Sequence, residues 1–175
     1  VSEDSELLKR ARYLINQARD EGTEFHHSDV GYNYRLSNLH AAVGLAQFER
    51  LEEFIAARRS NAALYEEAFS ETPGISFFGE QPWAMSNYWL STIILDPAIF
   101  PLRPEDVMQR LGKSGIEVRR PFIPNHMLPP YRQDRTFGDM ATATDLYQRG
   151  LNLPSSAWMK PEQVEYVAKN LADLA

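Results

Sequence analysis

The 175-residue sequence contains no cysteine, which excludes both a disulfide framework and a thiolate metal site. It has no basic excess either: 18 lysines and arginines stand against 24 acids, a net charge of −6 with no block of one sign. A nucleic-acid binder carries a basic footprint, so that class is set aside. No apolar run approaches the roughly 18 residues of a membrane span, and no signal peptide is expected. There are four histidines, two of them adjacent at His26 and His27. Neighbouring side chains point apart on a helix or strand, so no metal pair is expected there. A Gly-rich phosphate loop, an HExxH metal motif and a GxSxG nucleophile elbow are all missing. With 43% hydrophobic and 24% charged residues, the chain is expected to be a soluble, cytoplasmic globular protein with a sizeable core.

The patterning begins with a helix in "VSEDSELLKRARYLINQ". Ser2 is the expected N-cap, with Glu3 and Asp4 in the positive first turn. Leu7, Leu8, Ala11, Leu14 and Ile15 form one apolar face. Such a face needs cover, and together with the missing initiator methionine it suggests a chain that starts inside a larger protein. "ARDEGTEFHHSDVGYNYRL" (18–36) has no sustained period and reads as a loop of about twenty residues, a length that is often functional. Ser37 then caps a helix expected to run from Asn38 to about Phe69. Its length would be about 45 Å, long enough to link two domains or cross an interface.

"ETPGI" ends that helix. "ISFFGE", "SNYWLSTIILD" and "GIEVRRPF" read as three strands. "LRPEDVMQRLGKSGIEV" opens with a helix carrying Pro104 in its first turn, Glu105 and Asp106 after it, and Gly112 or Gly115 at its end. "IPNHMLPPYRQ" is a proline-rich loop. A short helix in "MATATDLYQRG" stops at Gly150, and a terminal helix turns Val164, Val167, Ala168 and Leu171 inward. These elements predict a small α+β domain. The expected organisation is residues 1–37, then a linking helix over 38–70, then a small domain over 71–175.

Two clusters could carry chemistry. In "GYNYRLSNLHAAVGLAQ", polar and aromatic groups gather just before a helix N-terminus, where free N–H groups and the dipole favour an anion such as phosphate. The plainer alternative is that Tyr32 and Tyr34 pack while Asn33 makes a turn. In "RRPFIPNHMLPPY", Arg119, Arg120 and His126 sit on a loop stiffened by four prolines, suited to phosphate or sugar oxygens. The alternative there is a solvated connector. Glu49, Glu52 and Glu53 read as a solvated helix face.

Taken together and in order, "GYNYRLSNLHAAVGLAQFERLEEFIAARRSNAALY", "SNYWLSTIIL", "GIEVRRPFIPNHMLPPY" and "GLNLPSS" resemble the C-terminal half of the DegT/StrS-type nucleotide-sugar aminotransferases. The match is nearest to those that aminate the 4-keto sugars of perosamine and bacillosamine synthesis. The resemblance covers essentially the whole chain and implies the small domain of a fold type I enzyme dependent on pyridoxal 5'-phosphate. In that architecture a long interdomain helix leads to a small antiparallel sheet with flanking helices. The N-terminal residues would be the tail of an α/β large domain.

The resemblance further implies that Asn33 hydrogen-bonds the cofactor phosphate across a homodimer interface. Tyr34 and Arg35 would shape that loop with a lesser claim to touch ligand. Arg119, Phe122 and His126 would line the nucleotide-sugar pocket, with Pro124 completing the family pattern. Arg120 departs from the pattern where proline is common, and Ile123 where an aromatic or lysine is usual. The family's Schiff-base lysine lies upstream of the segment matching "VSEDSELL", and Lys9 lacks its motif. The chain alone is therefore expected to hold no catalytic residue and to be inactive. The implied activity is transfer of an amino group, from glutamate, to a nucleotide-linked keto-sugar. The alternatives are the family's sugar dehydratases, in which histidine replaces that lysine, and a non-catalytic interaction module.

Overall fold

A computed structural model describes residues 2–22 and 25–175. Val1, at the start of the first expected helix, and Thr23 and Glu24, within the expected loop, lie outside the described residues. The chain divides into two compact units, residues 1–50 and 51–175.

In the first unit, α1 spans Ser5–Ile15. Its N-cap is Asp4 rather than the expected Ser2. The Asp4 carboxylate accepts from the N–H groups of Glu6 and Leu7, both at 3.0 Å, whereas Ser2 Oγ accepts only from Asp4 N–H. A carboxylate both satisfies two orphan donors and complements the positive helix end, so it is favoured over the serine. No residue of α1 is buried within its unit. Helix α2 spans Asn38–Phe48, and Ser37 caps it as expected by accepting from His40 N–H at 3.3 Å.

The single helix expected over 38–69 is instead two. Glu49 N–H still bonds back four residues to the Leu45 carbonyl. Arg50 N–H bonds only three back, to Gln47 at 3.2 Å, and this tightened turn closes α2. Helix α3, Leu51–Phe69, belongs to the second unit.

That unit is built on a three-stranded antiparallel sheet, in the order β1 (Ile75–Phe77), β2 (Ser91–Leu95), β3 (Gly150–Leu153). Ile93 sits at its centre, opposite Phe77 on one side and Leu151 on the other. Helices α4 (Pro104–Lys113), α5 (Ala141–Arg149) and α6 (Pro161–Ala172) complete the unit. One core gathers Tyr65 and Phe69 from α3 with Val107 and Leu111 from α4. Val164, Val167, Ala168 and Leu171 of α6 join them, facing inward as the period predicts. Each aliphatic side chain buried this way contributes about 1.5–3 kcal/mol. Tyr65 is fully buried and donates its hydroxyl to the Pro154 carbonyl at 3.0 Å, and burial raises its pKa further.

The third strand is not where the sequence reading put it. "GIEVRR" lies beside β3 but joins it through one bridge only. Arg119 N–H donates to the Asn152 carbonyl at 3.1 Å, and Asn152 N–H returns to Arg119 at 2.7 Å. Pro121 has no N–H to extend the ladder. Its ring also presses on Gly150, where a Cβ would sit 2.5 Å from the Pro121 ring and 2.6 Å from the Leu146 carbonyl. The actual third strand is "GLNL", short and buried along its whole length. Helix α4 begins at Pro104, and Gly115, at φ +73°, ends its last turn as expected.

Candidate cofactor and substrate site

The residues expected to bind ligand fall in both units. In the first, the chain from Tyr32 to Tyr34 lies extended against the end of α1. Tyr32 N–H donates to Leu14 at 2.7 Å, Gln17 N–H to Tyr32 at 3.0 Å, and Tyr34 N–H to Ile15 at 3.2 Å. Asn33 pairs with Asn16 in an isolated bridge. The rings of Tyr32 and Tyr34 stack 5.2 Å apart, so they share one side of the segment and Asn33 faces the other. The Asn33 amide is exposed and makes no side-chain hydrogen bond to the described residues.

This close approach explains the glycine that opens the motif. A Cβ at Gly31 would lie 2.1 Å from Ala18 N and 2.2 Å from Gln17 C. Gln17 and Ala18 themselves adopt left-handed backbone, at φ +63° and +51°. Arg35 supports the segment by donating to Asn16 Oδ1 at 2.9 Å.

The preceding loop is pinned by Asp20, which accepts from Ser28 Oγ (2.7 Å) and Tyr13 Oη (2.8 Å) and contacts His26 Nδ1 (2.6 Å). These hydrogen bonds, that from Ser28 foremost, hold its carboxyl down at about 2. Arg10 pairs with Asp29 in the same loop and lowers that carboxyl too.

In the second unit, Arg119 is exposed, and its guanidinium pairs with Glu117 at 2.7 Å. It lines a groove of about 820 Å³ together with Glu117, Asn152, Ser155 and Tyr166. The floor residue Asn152 is a junction that sequence reasoning missed. Its Oδ1 accepts from Thr92 Oγ1 at 2.8 Å, and its Nδ2 donates to the Arg120 carbonyl at 3.4 Å. Phe122 is 74% exposed, with the Trp89 ring 6.2 Å away.

His126, on a 3₁₀ turn over Asn125–Met127, lines a separate cavity of about 500 Å³ with Tyr131, Arg135 and Phe137. Its Nε2 lies 3.1 Å from Thr144 Oγ1, whose only proton goes to the Met140 carbonyl at 3.0 Å. With that proton so placed Nε2–H is the donor to Oγ1, and in the tautomer protonated at Nε2 alone Nδ1 is an acceptor. Arg119 and His126 thus line different cavities, and Phe122 lines neither.

Residues 1–172 match the model of the DegT/DnrJ/EryC1/StrS aminotransferase family. The chain belongs to this family. EpsN of Bacillus subtilis (strain 168) is 36% identical over 177 residues, covering 99% of this chain and 45% of that protein. GDP-perosamine synthase of Vibrio cholerae is 33% identical over 167 residues, covering 95% of this chain and 45% of the synthase. The solved structure of the aminotransferase TlmJ from Streptoalloteichus hindustanus superposes with a TM-score of 0.77 at 24% identity, covering 98% of this chain and 45% of TlmJ. The chain thus spans less than half the length of the curated relatives it matches. The family and fold class read from the motifs both hold: the second unit is the small antiparallel sheet with helices that sugar aminotransferases carry.

Proposed function

We propose that the chain is the C-terminal part of a cytoplasmic, homodimeric aminotransferase that moves an amino group from glutamate to a nucleotide-linked keto-sugar, with pyridoxal 5'-phosphate as cofactor. The observation that carries this reading is sequence identity of 30–33% to three GDP-perosamine synthases along 95–98% of the chain. Residues 1–37 are assigned to the tail of the large domain, 38–70 to the linking segment and 71–175 to the small domain.

The residues present fit one end of the cofactor. Asn33 offers an amide N–H₂ that is unpaired among the described residues, on a backbone held by the Asn16 bridge and by the close approach at Gly31. An amide donor fixed in this way suits a phosphate oxygen. When bound, the cofactor supplies the carbonyl group and the electron-withdrawing ring that amino transfer requires. Asn33 would anchor its phosphate, with Tyr34 and Arg35 holding the segment in shape. Arg119 would meet an anionic or hydroxyl oxygen of the sugar nucleotide, Phe122 would offer an apolar face, and His126 Nδ1 would accept from a hydroxyl. The lysine that carries the proton is assigned to the part of the protein outside this chain.

The visible absorption of the full-length protein with pyridoxal phosphate, before and after glutamate, tests the reading. Conversion of the cofactor band to the amine form is the expected result. Cofactor binding without that conversion would move the protein to the family's dehydratases, and absence of binding would leave a non-catalytic interaction module.

A further inference from the structure

Trp89 was read from sequence as a strand residue, but β2 begins only at Ser91. Residues 78–90, between β1 and β2, form a loop held by a clasp from α3. The Arg59 guanidinium grips the Glu80 carboxylate with two hydrogen bonds, at 2.6 and 2.9 Å, and donates to the Ser86 carbonyl at 2.6 Å. Glu80 in turn accepts from Ser86 N–H at 2.7 Å, while Glu80 N–H donates to the Tyr88 hydroxyl at 3.0 Å. The guanidinium also lies 5.5 Å from the centre of the Tyr88 ring.

The clasp holds Tyr88 in left-handed backbone at φ +43°, a conformation that a bulky residue adopts only when its surroundings impose it. Beyond this bend, the Trp89 ring is 57% exposed and stands beside Phe122 at a tilt of 31°. Ser155 Oγ donates to the Trp89 carbonyl at 2.7 Å, which fixes the backbone on the far side of the bend. Two large aromatic rings are thus exposed side by side near the start of a buried strand, with the Trp89 backbone fixed on both sides of the bend. A strained backbone position beside a pair of neighbouring exposed aromatic rings is an arrangement that suits recognition.

We infer that Trp89 is a substrate-contacting residue, forming with Phe122 an aromatic wall for the planar base of the sugar nucleotide, and that Arg59 and Glu80 are the positioning residues that aim it. The inference rests on the proposed function and deepens it. A base has a π-face whatever its identity, so the wall supplies affinity and leaves the choice of nucleotide to other groups.

The test uses the full-length protein, first establishing that the wild type transfers an amino group to a nucleotide-linked keto-sugar. Trp89→Ala should then raise KM for the sugar nucleotide about tenfold, the loss expected for one base–aromatic stack. The glutamate KM, kcat and cofactor spectrum should stay unchanged. Trp89→Phe should restore most of the loss. Glu80→Gln and Arg59→Lys should raise the same KM by a smaller factor, with no change for glutamate. GDP, UDP and dTDP, titrated directly as probes, should each bind more weakly to Trp89→Ala. Unchanged KM and probe affinity in an active Trp89→Ala enzyme would overturn the inference while leaving the proposed function intact. Equal losses for sugar nucleotide and glutamate would overturn it too, making Trp89 a residue that only supports the fold. Wild-type protein without aminotransfer would remove the proposed function, and this inference with it.

Discussion

The Arg120 guanidinium donates to the Tyr147 carbonyl at 2.7 Å and lies 5.1 Å from the centre of the same residue's ring. A further bond reaches the Gln148 carbonyl at 3.1 Å, and Nη1 approaches Glu105 at 3.1 Å. The departure from proline at this position therefore has a structural use. A cation meets the last carbonyls of α5, where the helix dipole favours it, and bridges to the first turn of α4.

Arg120→Ala should accordingly destabilise the protein by about 1.5–3 kcal/mol, the usual loss for hydrogen bonds to a charged group. Arg119→Ala is the control, because its guanidinium pairs at the surface with Glu117 alone. Its effect should stay within about 0.5 kcal/mol. Equilibrium urea unfolding distinguishes the two, and equal losses would show that Arg120 is as dispensable as its neighbour.

Much of the architecture was legible because it follows from periodicity. The inward face of α6, the Ser37 cap and Pro104 at the start of α4 each rest on local rules that tertiary contacts then reinforce. The third strand was not legible in the same way. "GIEVRR" alternates like a strand, and Ile116 and Val118 are indeed buried, yet Pro121 and the Gly150 contact limit its pairing to one bridge. "GLNL" is too short to show a period, and its buried Asn152 disguises it as a loop. The turn at Glu49–Arg50 has no glycine or proline to announce it. Trp89 was hidden because "SNYWL" has strand composition, whereas the bend at Tyr88 is imposed from α3 by Arg59. The candidate site residues rest on family motifs alone, since composition left both clusters with a plain alternative.

If Asn33 holds the cofactor phosphate, its substitution separates cofactor binding from folding. Its side chain makes no hydrogen bond to the described residues, so Asn33→Ala should leave the melting temperature unchanged. Cofactor affinity in the full-length enzyme should fall by about 1–3 kcal/mol. Gly31→Ala should weaken the cofactor as well, but through the backbone, because the Gln17–Ala18 chain has no room for a methyl group. Spectroscopic titration with pyridoxal phosphate measures both. Unaltered affinity in Asn33→Ala would leave that residue as part of a turn.

His126 can be tested through its tautomer. If Nδ1 accepts from a substrate hydroxyl, His126→Ala should raise KM for the sugar nucleotide more than for glutamate. Thr144→Val keeps the shape but removes the oxygen that Nε2–H requires, freeing the ring to rotate. Its effect should fall on the same KM and be smaller. Parallel changes in both Michaelis constants would place His126 outside the sugar pocket.

The two clasped carboxylates predict a specific acid response. Hydrogen bonds from Arg59, together with that from Ser86 N–H, lower the Glu80 pKa from 4.5 to about 2. Those from Ser28, His26 and Tyr13 lower Asp20 from 3.8 to about 2. Both folded-state values lie below the unfolded ones, so the stabilisation is complete above about pH 4.5. It is lost as the pH falls toward 2, because the unfolded chain then binds protons that the folded one resists. Trp83 and Trp89 lie in the loop that Glu80 holds, so tryptophan fluorescence should report its loosening within this window. Glu80→Gln should show the loosened signal already at neutral pH, with little further change on acidification. Added salt should shift the wild-type response only weakly, because the pair is bidentate and part-shielded, with 34% and 27% of its side chains exposed. A variant that titrates like the wild type would show that the loop is held by something other than the Arg59–Glu80 pair.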